Sequence, residues 1–326
     1  MILIVSTEMD LTTNEVIDWL RHYQQDYVRV NKEDNVAVEK ISLRNGKVDT
    51  LQIHVTNRNL KIDLATISAY WYRKGNLVVE YPSPTTLDPA LQDSLEDLLY
   101  RENYKMTEFI HLYLKTVNGI GCFFDDARNK LDHLMAASGM GLLVPDTLIS
   151  STKAPVIEFE GANEEIVTKA ISEGLSFYTD DVKIFGYTSL IKGKSQVPEN
   201  FFPTLFQKKI EKRYDLRIFY LDGKCYSSAV VSQNDSETEI DFRKYNLAKS
   251  NRIVPFQLPR EIEEKLDKLM VKLNYRSGSI DMVYTKDKKY VFLEINPVGQ
   301  FAQVSEPCNY HLEDRVAKHL ITSANL

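Results

Sequence analysis

Three oxygen-bearing side chains, Asp281, Glu294 and Asn296, stand in two strand-like stretches, GSIDMVYT and KYVFLEINP. Side chains alternate between the faces of a strand, so Glu294 and Asn296 share one face, and Leu293 and Ile295 are expected on the other. With a turn over about Thr285–Lys289, centred near Asp287, Asp281 falls opposite residue 293 or 294 and the three oxygens converge. Their neighbours are strongly apolar, and a carboxylate in apolar surroundings requires a compensating cation. Magnesium meets that requirement: it takes hard oxygen ligands, few from protein and the rest from water and phosphate. The other reading of the same pattern is an ordinary half-exposed hairpin with its polar residues on the wet face, and spacing alone leaves both open.

Two lysines add a second signal. Lys169 sits mid-strand in IVTKAI, and Lys130 begins a helix after Arg128-Asn129. Each is placed to give a point charge to a nucleotide phosphate, although a lone lysine is more often a solvated surface residue. Between them and the hairpin runs TLFQKKIEKRYDLRIFYLDGK. Its apolar strand end passes into Gln207, Lys208, Lys209 and Ile210, where exposed backbone can offer adenine a donor and an acceptor while Ile210 packs on the ring. Asp215 and Arg217 are two apart and share a strand face, and Arg213 and Arg243 add positive charge. Arginine suits bidentate recognition of carboxylate or phosphate; a charged β-edge with local ion pairs is the alternative.

Other chemistries lack their signals. The chain has no G-x-x-x-x-G-K-[ST] and no G-x-G-x-x-G, so neither a P-loop nor a Rossmann phosphate site is supported. The six histidines and three cysteines show no metal-ligand spacing, and Cys122, Cys225 and Cys308 read as reduced thiols of a cytoplasmic protein. A net charge of −6 argues against broad nucleic-acid binding. No apolar run approaches the ~20 residues of a membrane span, and MILIVSTEMD reads as a first strand, with no signal peptide.

Elements that must position these groups follow from pattern. Hydrophobic residues at 43 % of 326 residues are ample for a core, and that length suggests about two domains of ordinary size. Residues 2–5, 13–25 and 27–30 read as a βαβ opening. Strands follow around an Asn45-Gly46 turn, then a long helical pattern over 88–117. Asn129 caps a helix over 130–138 that Gly139 and Gly141 end. Strands are expected from Pro145 to Ile149, over 166–171, within VKIFGYTSLI, and as a pair over 205–231 joined at Asp222-Gly223. An amphipathic helix over 260–273, the hairpin and a final helix over about 311–320 complete the chain.

Taken in order, these pieces resemble the ATP-grasp superfamily. RNKLDHLMAASGMGLLVPDT is similar to the helix carrying its first ATP-contacting lysine, IVTKAIS to the strand with the second, and FQKKI to the adenine hinge. DLRIF and the later DFR resemble the segments bringing acid and arginine to the acyl phosphate, and SIDMVY with FLEINP the magnesium pair. Within the superfamily, ISAYWYRKG, EKRYDLRIFYLDGKCYSSAVVSQ, DFRKYN and FLEINPVGQF resemble graspetide (microviridin-like) synthetases, closest to the grasp-with-spasm peptide maturases. Two departures stand out against the glutamate ligases: SEGLSFYTDD holds only Gly174 where they carry a Gly-rich phosphate loop, and Lys244-Tyr245 follow Arg243 where they have a small and an amide residue.

The resemblance implies an α/β (α+β) ATP-grasp fold with ATP between two antiparallel sheets. It divides the chain into a pre-ATP-grasp domain (1–118), a central subdomain (119–204) and a C-terminal subdomain (205–326). The cofactors implied are ATP and Mg²⁺. ATP would be held by Lys130, Lys169 and the 207–210 hinge (Gln207, Lys208, Lys209, Ile210), and metal by Asp281, Glu294 and Asn296. Arg217 and Arg243 would steady an acyl phosphate, with Asp215 as the candidate base. The implied partner is a ribosomal precursor peptide with a leader segment, crosslinked from Asp/Glu to Ser/Thr or Lys; no nucleic acid or membrane is implied, and a homodimer stays open. A ligase for free amino acids, an ATP-grasp kinase and a peptide-binding scaffold with a degenerate nucleotide site are the competing readings.

Overall fold

Ile2–Ser6 forms strand β1, and all five of its residues are buried, which fits the unbroken apolar run ILIV. The computed structural model describes residues 1–77, 79–80, 89–125, 129–163, 165–172, 176–178, 183–191, 197–231 and 251–326. Helix α1 (Leu11–His22) follows β1, and the Asp10 side chain caps it by accepting from the Thr13 amide. Strand β2 (Tyr27–Asn31) lies parallel to β1, completing the expected βαβ unit. β3 (Val36–Arg44) and β4 (Lys47–Val55) form a hairpin in which Arg44 faces Lys47. Asn45 and Gly46 bridge them with φ of 50° and 74°, the left-handed pair a two-residue turn needs. β5 (Leu60–Asp63) adds to β4, while β6 (Ala69–Tyr72) returns to pair parallel with β1. After helix α2 (Pro89–Leu114), the short β7 (Gly119–Ile120) completes a parallel sheet of order β2-β1-β6-β7. A Cβ on Gly119 would lie 1.8 Å from the Tyr70 carbonyl oxygen, so only glycine lets β7 approach β6.

Helix α3 (Lys130–Gly139) begins at the predicted cap, the Asn129 side chain accepting from the Leu131 amide. Then come β8 (Thr147–Thr152), helix α4 (Lys153–Asn163), β9 (Ile166–Lys169), the paired β10 (Ser176–Tyr178) and β11 (Lys183–Phe185), β12 (Ser189–Leu190) and β13 (Asn200–Lys208). Four of these make an antiparallel sheet of order β12-β9-β13-β8. A second antiparallel sheet, β16-β15-β14-β17-β18, is built from β14 (Lys212–Leu221), β15 (Lys224–Val231), β16 (Arg252–Pro255), β17 (Ser277–Thr285) and β18 (Tyr290–Asn296). Helix α5 (Arg260–Leu273) precedes β17, and α6 (Ala302–Cys308) follows β18.

Alternation decides which face of the five-stranded sheet is covered. Leu216, Ile218, Ile280, Met282, Phe292 and Ile295 join Leu266, Leu269 and Leu273 of α5 and Ala137 of α3 in one buried cluster. The intervening residues of the same strands turn to the opposite face, away from those helices.

Contacts divide the chain into two units, residues 1–126 with 311–326, and residues 127–310. The closing helix α7 (Leu312–Ala324) belongs to the first unit, where Asp314 accepts from the Tyr23 hydroxyl at 2.6 Å. Its place therefore differs from the C-terminal segment to which the sequence reading assigned it. β13 likewise crosses the expected 204/205 boundary, because Leu205–Lys208 continue the four-stranded sheet.

Candidate functional site

The second unit brings three strands level at one point. Arg217 of β14 pairs with Asp281 of β17, and Asp281 pairs in turn with Glu294 of β18. All three side chains leave the sheet on the face opposite α3 and α5. The Arg217 Nη1 donates to both carboxylate oxygens of Asp281 at 2.6 Å. Glu294 is held from the other side: its Oε2 lies 3.2 Å from the Lys130 Nζ and 3.8 Å from the Lys169 Nζ. Three cations thus face two carboxylates, leaving an excess positive charge suited to an incoming polyanion.

A β-bulge refines the expected geometry. Asp281 faces Glu294, but the next residue, Met282, faces Phe292, so Leu293 is the extra residue of the ladder. The alternation argument put Leu293 on the face opposite Glu294; the bulge instead lets Phe292 and Ile295 enter the core while Leu293 and Glu294 both turn to the site face. Asn296 resumes the pattern opposite Ser279, and its Oδ1 accepts from the Val298 amide at 3.1 Å. An amide oxygen has a second lone pair, so this bond leaves Asn296 able to act as a ligand.

Beside this line of charges lies an open cleft between the two antiparallel sheets. Val167, Ile210, Val283 and Leu293 give it apolar walls, and Lys169, Gln207, Lys208, Lys209, Lys212 and Asp215 are among its polar lining residues. The 207–210 segment is fastened at both sides. Amides of Lys208 and Lys209 donate to the carbonyls of Asp146 and Glu165, and the Gln207 Nε2 donates to the Thr147 Oγ1. Ile210 is the second residue beyond the ladder, which ends at Lys208. The Lys209 ammonium bonds Glu165 at 2.7 Å, which raises its pKa and ties it to the rim.

Asp215 lies two residues before Arg217 and on the same face, as expected. Both its oxygens accept from the Lys212 Nζ, at 2.9 and 2.8 Å, in a buried pair. Using Asp215 as a base would require breaking that pair. Lys212 is the cleft residue that sequence reasoning missed; the only signal was its i, i+3 spacing from Asp215, which a bulge between Lys212 and Tyr214 turns into a same-face contact. Arg213 is exposed, its guanidinium 5.3 Å from the centre of the Tyr214 ring. Arg243, Gly174 and Lys244-Tyr245 lie outside the described residues.

The donors fit a hard divalent cation: two carboxylates on facing strands and an amide two residues on. Among the described residues no set of three His, Cys, Asp or Glu side chains gathers as a metal cluster. The third oxygen here is an amide, and both carboxylates are held by side-chain cations. Nor is any described helix long and apolar enough to cross a membrane.

No protein-family model matches the chain, and no curated protein matches its sequence. Solved structures do. A RiPP-associated ATP-grasp ligase of Chryseobacterium gregarium, in complex with ADP and a leader and core peptide, is 22 % identical, with a TM-score of 0.78 over 98 % of this chain and 96 % of that one. The macrocyclase MdnC of Microcystis aeruginosa MRC, bound with precursor peptide MdnA, is 24 % identical, with a TM-score of 0.72 over 99 % and 100 %. The ATP-grasp ligase PsnB, complexed with minimal precursor, Mg and ADP, is 19 % identical, with a TM-score of 0.71 over 99 % and 97 %. These likenesses run the length of the chain and show its fold, that of the ATP-grasp ligases.

Proposed function

We propose that this ATP-grasp chain is an ATP-dependent carboxylate ligase that activates Asp or Glu side chains of a ribosomal precursor peptide and closes them onto hydroxyl or amine side chains of the same peptide. The observation that carries the reading is the Arg217–Asp281–Glu294 line, with Lys130 and Lys169 on Glu294, at the mouth of an apolar cleft. That cleft suits a purine against Ile210, Val167 and Leu293, with the backbone of 208–210 at its edge. The peptide substrate is supported by the leader, core and precursor peptides in the complexes of the similar ligases.

In the proposed reaction a substrate carboxylate oxygen attacks the γ-phosphorus in line, the bond to the β-phosphate oxygen breaks, and ADP leaves an acyl phosphate. A hydroxyl or amine then attacks the carbonyl carbon, the phosphate departs with the bonding pair, and the nucleophile's proton leaves on the released inorganic phosphate. Lys130 and Lys169 hold the phosphates, and Arg217 stabilises the charge gathering on the transferred group. Asp281, Glu294 and Asn296 would hold Mg²⁺, which would supply charge neutralisation to the phosphates. Arg243 remains a candidate second cation. Holding both reacting side chains on one tethered peptide supplies a large effective concentration. A cytoplasmic setting, where ATP and reduced thiols are available, belongs to the same proposal.

The test is to incubate the protein with ATP, Mg²⁺ and a leader-bearing peptide rich in Asp/Glu and Ser/Thr/Lys. The peptide should lose one water mass per closure as ADP appears. A gain of phosphate mass would make the protein a kinase, and ADP release with free glutamate alone would make it an amino-acid ligase.

A further inference from the structure

The first unit has an open cavity of its own, between helix α1, strand β2 and the start of β5. Ile17, Val28 and Leu60 supply its apolar lining. Arg21, Arg29 and Arg58 bring three guanidiniums to it against two carboxylates, Asp18 and Asp26, in a chain of net charge −6. No residue assigned above to the nucleotide site takes part.

The three cations are engaged differently. Arg21 is exposed; its Nε donates to the Tyr27 hydroxyl at 2.9 Å and its Nη1 to Asp18 at 3.2 Å. An exposed pair of this kind exchanges partners at little cost. Arg58 is tied to the buried Asp34 at 2.9 Å. Arg29 is half-buried and donates to neutral acceptors, the Asn14 Oδ1 at 2.6 Å and the carbonyls of Thr7 and Glu8. Its Nε is buried without a partner, and among the described residues it makes no ion pair with a carboxylate. Burial lowers its pKa even though Asp10, Glu33, Asp34 and Glu8 act to raise it. A partly desolvated cation held by dipoles alone gains from an anion placed beside it.

The backbone of β2 adds direction. β2 ends its sheet and pairs with β1 alone. The Ile2 amide donates to the Asp26 carbonyl and the Lys32 amide to the Ser6 carbonyl, so even-numbered residues turn their backbone groups to β1. Tyr27, Arg29 and Asn31 turn theirs outward. Beyond Arg29 this edge is sealed: Asp34 accepts from the Asn31 amide at 2.8 Å, and Arg58 donates to the Arg29 carbonyl at 3.0 Å. The Tyr27 carbonyl and the Arg29 amide stay on the stretch that lines the cavity. One acceptor and one donor two residues apart are what a single residue of an added parallel strand bonds to, through its N–H and C=O.

We propose that this edge docks a short extended peptide segment carrying acidic residues two apart, laid parallel to β2. The bonded residue of the segment faces Val28. Its two neighbours face Tyr27 and Arg29, whose side chains both turn to α1, as their bonds with Arg21 and Asn14 show. Acidic side chains at those two places therefore meet the Arg21 and Arg29 guanidiniums, and Arg58 stops the segment after them.

Titration calorimetry of the full chain with acetyl-Glu-Ala-Glu amide, without ATP, tests this independently of the ligase reading. The peptide should bind and slow hydrogen exchange of the Arg29 amide. Its Gln-Ala-Gln counterpart should bind about 10- to 100-fold more weakly, and methylation of the central alanine nitrogen, which removes the bond to the Tyr27 carbonyl, should cost about 10-fold. Arg21→Gln changes an exposed side chain and should also cost about 10-fold. Arg217→Met, in the second unit, should bind the peptide as the wild type does. Absence of binding, binding indifferent to both N-methylation and Arg21→Gln, loss of binding in Arg217→Met, or glutarate binding as tightly as the peptide each overturns the proposal.

Discussion

Asp281 and Glu294 face each other across one rung of the β17–β18 ladder, yet each is neutralised by a different set of cations: Arg217 holds the first, and Lys130 and Lys169 hold the second. The two carboxylates therefore respond differently when their neighbours are changed.

Arg217→Met removes the cation that donates to both carboxylate oxygens of Asp281. Under the proposed function it also removes positive charge from the transferred phosphoryl group. ADP release should fall by about 100- to 1,000-fold, the usual effect of losing one preorganised donor to a transition state, while thermal unfolding of the protein stays cooperative. Steady-state rates within a few-fold of wild type would remove Arg217 from the site.

Lys130→Ala and Lys169→Ala should each raise the Kd for ATP by about 10- to 100-fold, in line with ~1.5–3 kcal/mol for a charge-assisted hydrogen bond. Titration calorimetry in the presence of Mg²⁺ measures it. Because Lys286 is exposed and paired with Glu211 away from the cleft lining, Lys286→Ala is the control and should leave ATP affinity nearly unchanged. An equal loss in all three variants contradicts the assignment.

Deleting Leu293 removes the extra residue of the bulge. A regular ladder then keeps Glu294 opposite Asp281 and Phe292 opposite Met282, with Phe292 and Ile295 still on the core face and Glu294 on the other. Mg²⁺-dependent ATP binding should survive the deletion, weakened modestly by the loss of one apolar wall of the cleft. Leu293→Ala keeps the bulge and should weaken nucleotide binding to a similar degree; abolished binding in the deletion alone would show that the bulge itself positions the site.

His111 is buried between Asn76, whose Oδ1 lies 3.0 Å from its Nε2, and the Phe123 ring, stacked at 4.1 Å. Burial lowers its pKa to about 4. The folded protein thus binds this proton less readily than the unfolded chain, so the stability it contributes is present above about pH 6.5 and is lost as pH falls towards 4. Linkage puts the full effect at about 3 kcal/mol. Urea midpoints measured at pH 7 and pH 4.5 should show this drop in the wild type and a smaller one in His111→Gln. Parallel slopes in the two proteins would locate the acid sensitivity elsewhere.

What could be read from residue types alone was local. The β17–β18 hairpin, the Asn129 cap and the Asn45-Gly46 turn each announce themselves within a few residues, and all three stand where expected. Helix α4 went unread because Pro155 in its first turn and Gly161 near its end look like loop residues, although proline is tolerated in a first turn. Helix α6 hid behind Pro307 in the same way. Partner choice among distant strands was also invisible: Asp215 and Arg217 were seen to share a face, but not that β14 lies beside β17 and so sets Arg217 on Asp281. The bulge at Leu293 is a tertiary choice, made so that Phe292 and Ile295 can both be buried.

Under the proposed function, the two lysines that face Glu294 are also the ones that receive the polyphosphate. A divalent cation arriving with the polyphosphate then makes up the positive charge those lysines withdraw from the half-buried carboxylate. Nucleotide and metal are thereby thermodynamically linked through one side chain, and each must tighten the binding of the other by the same factor. On the proposed reading, Glu294 thereby favours the metal–nucleotide complex over either ligand alone.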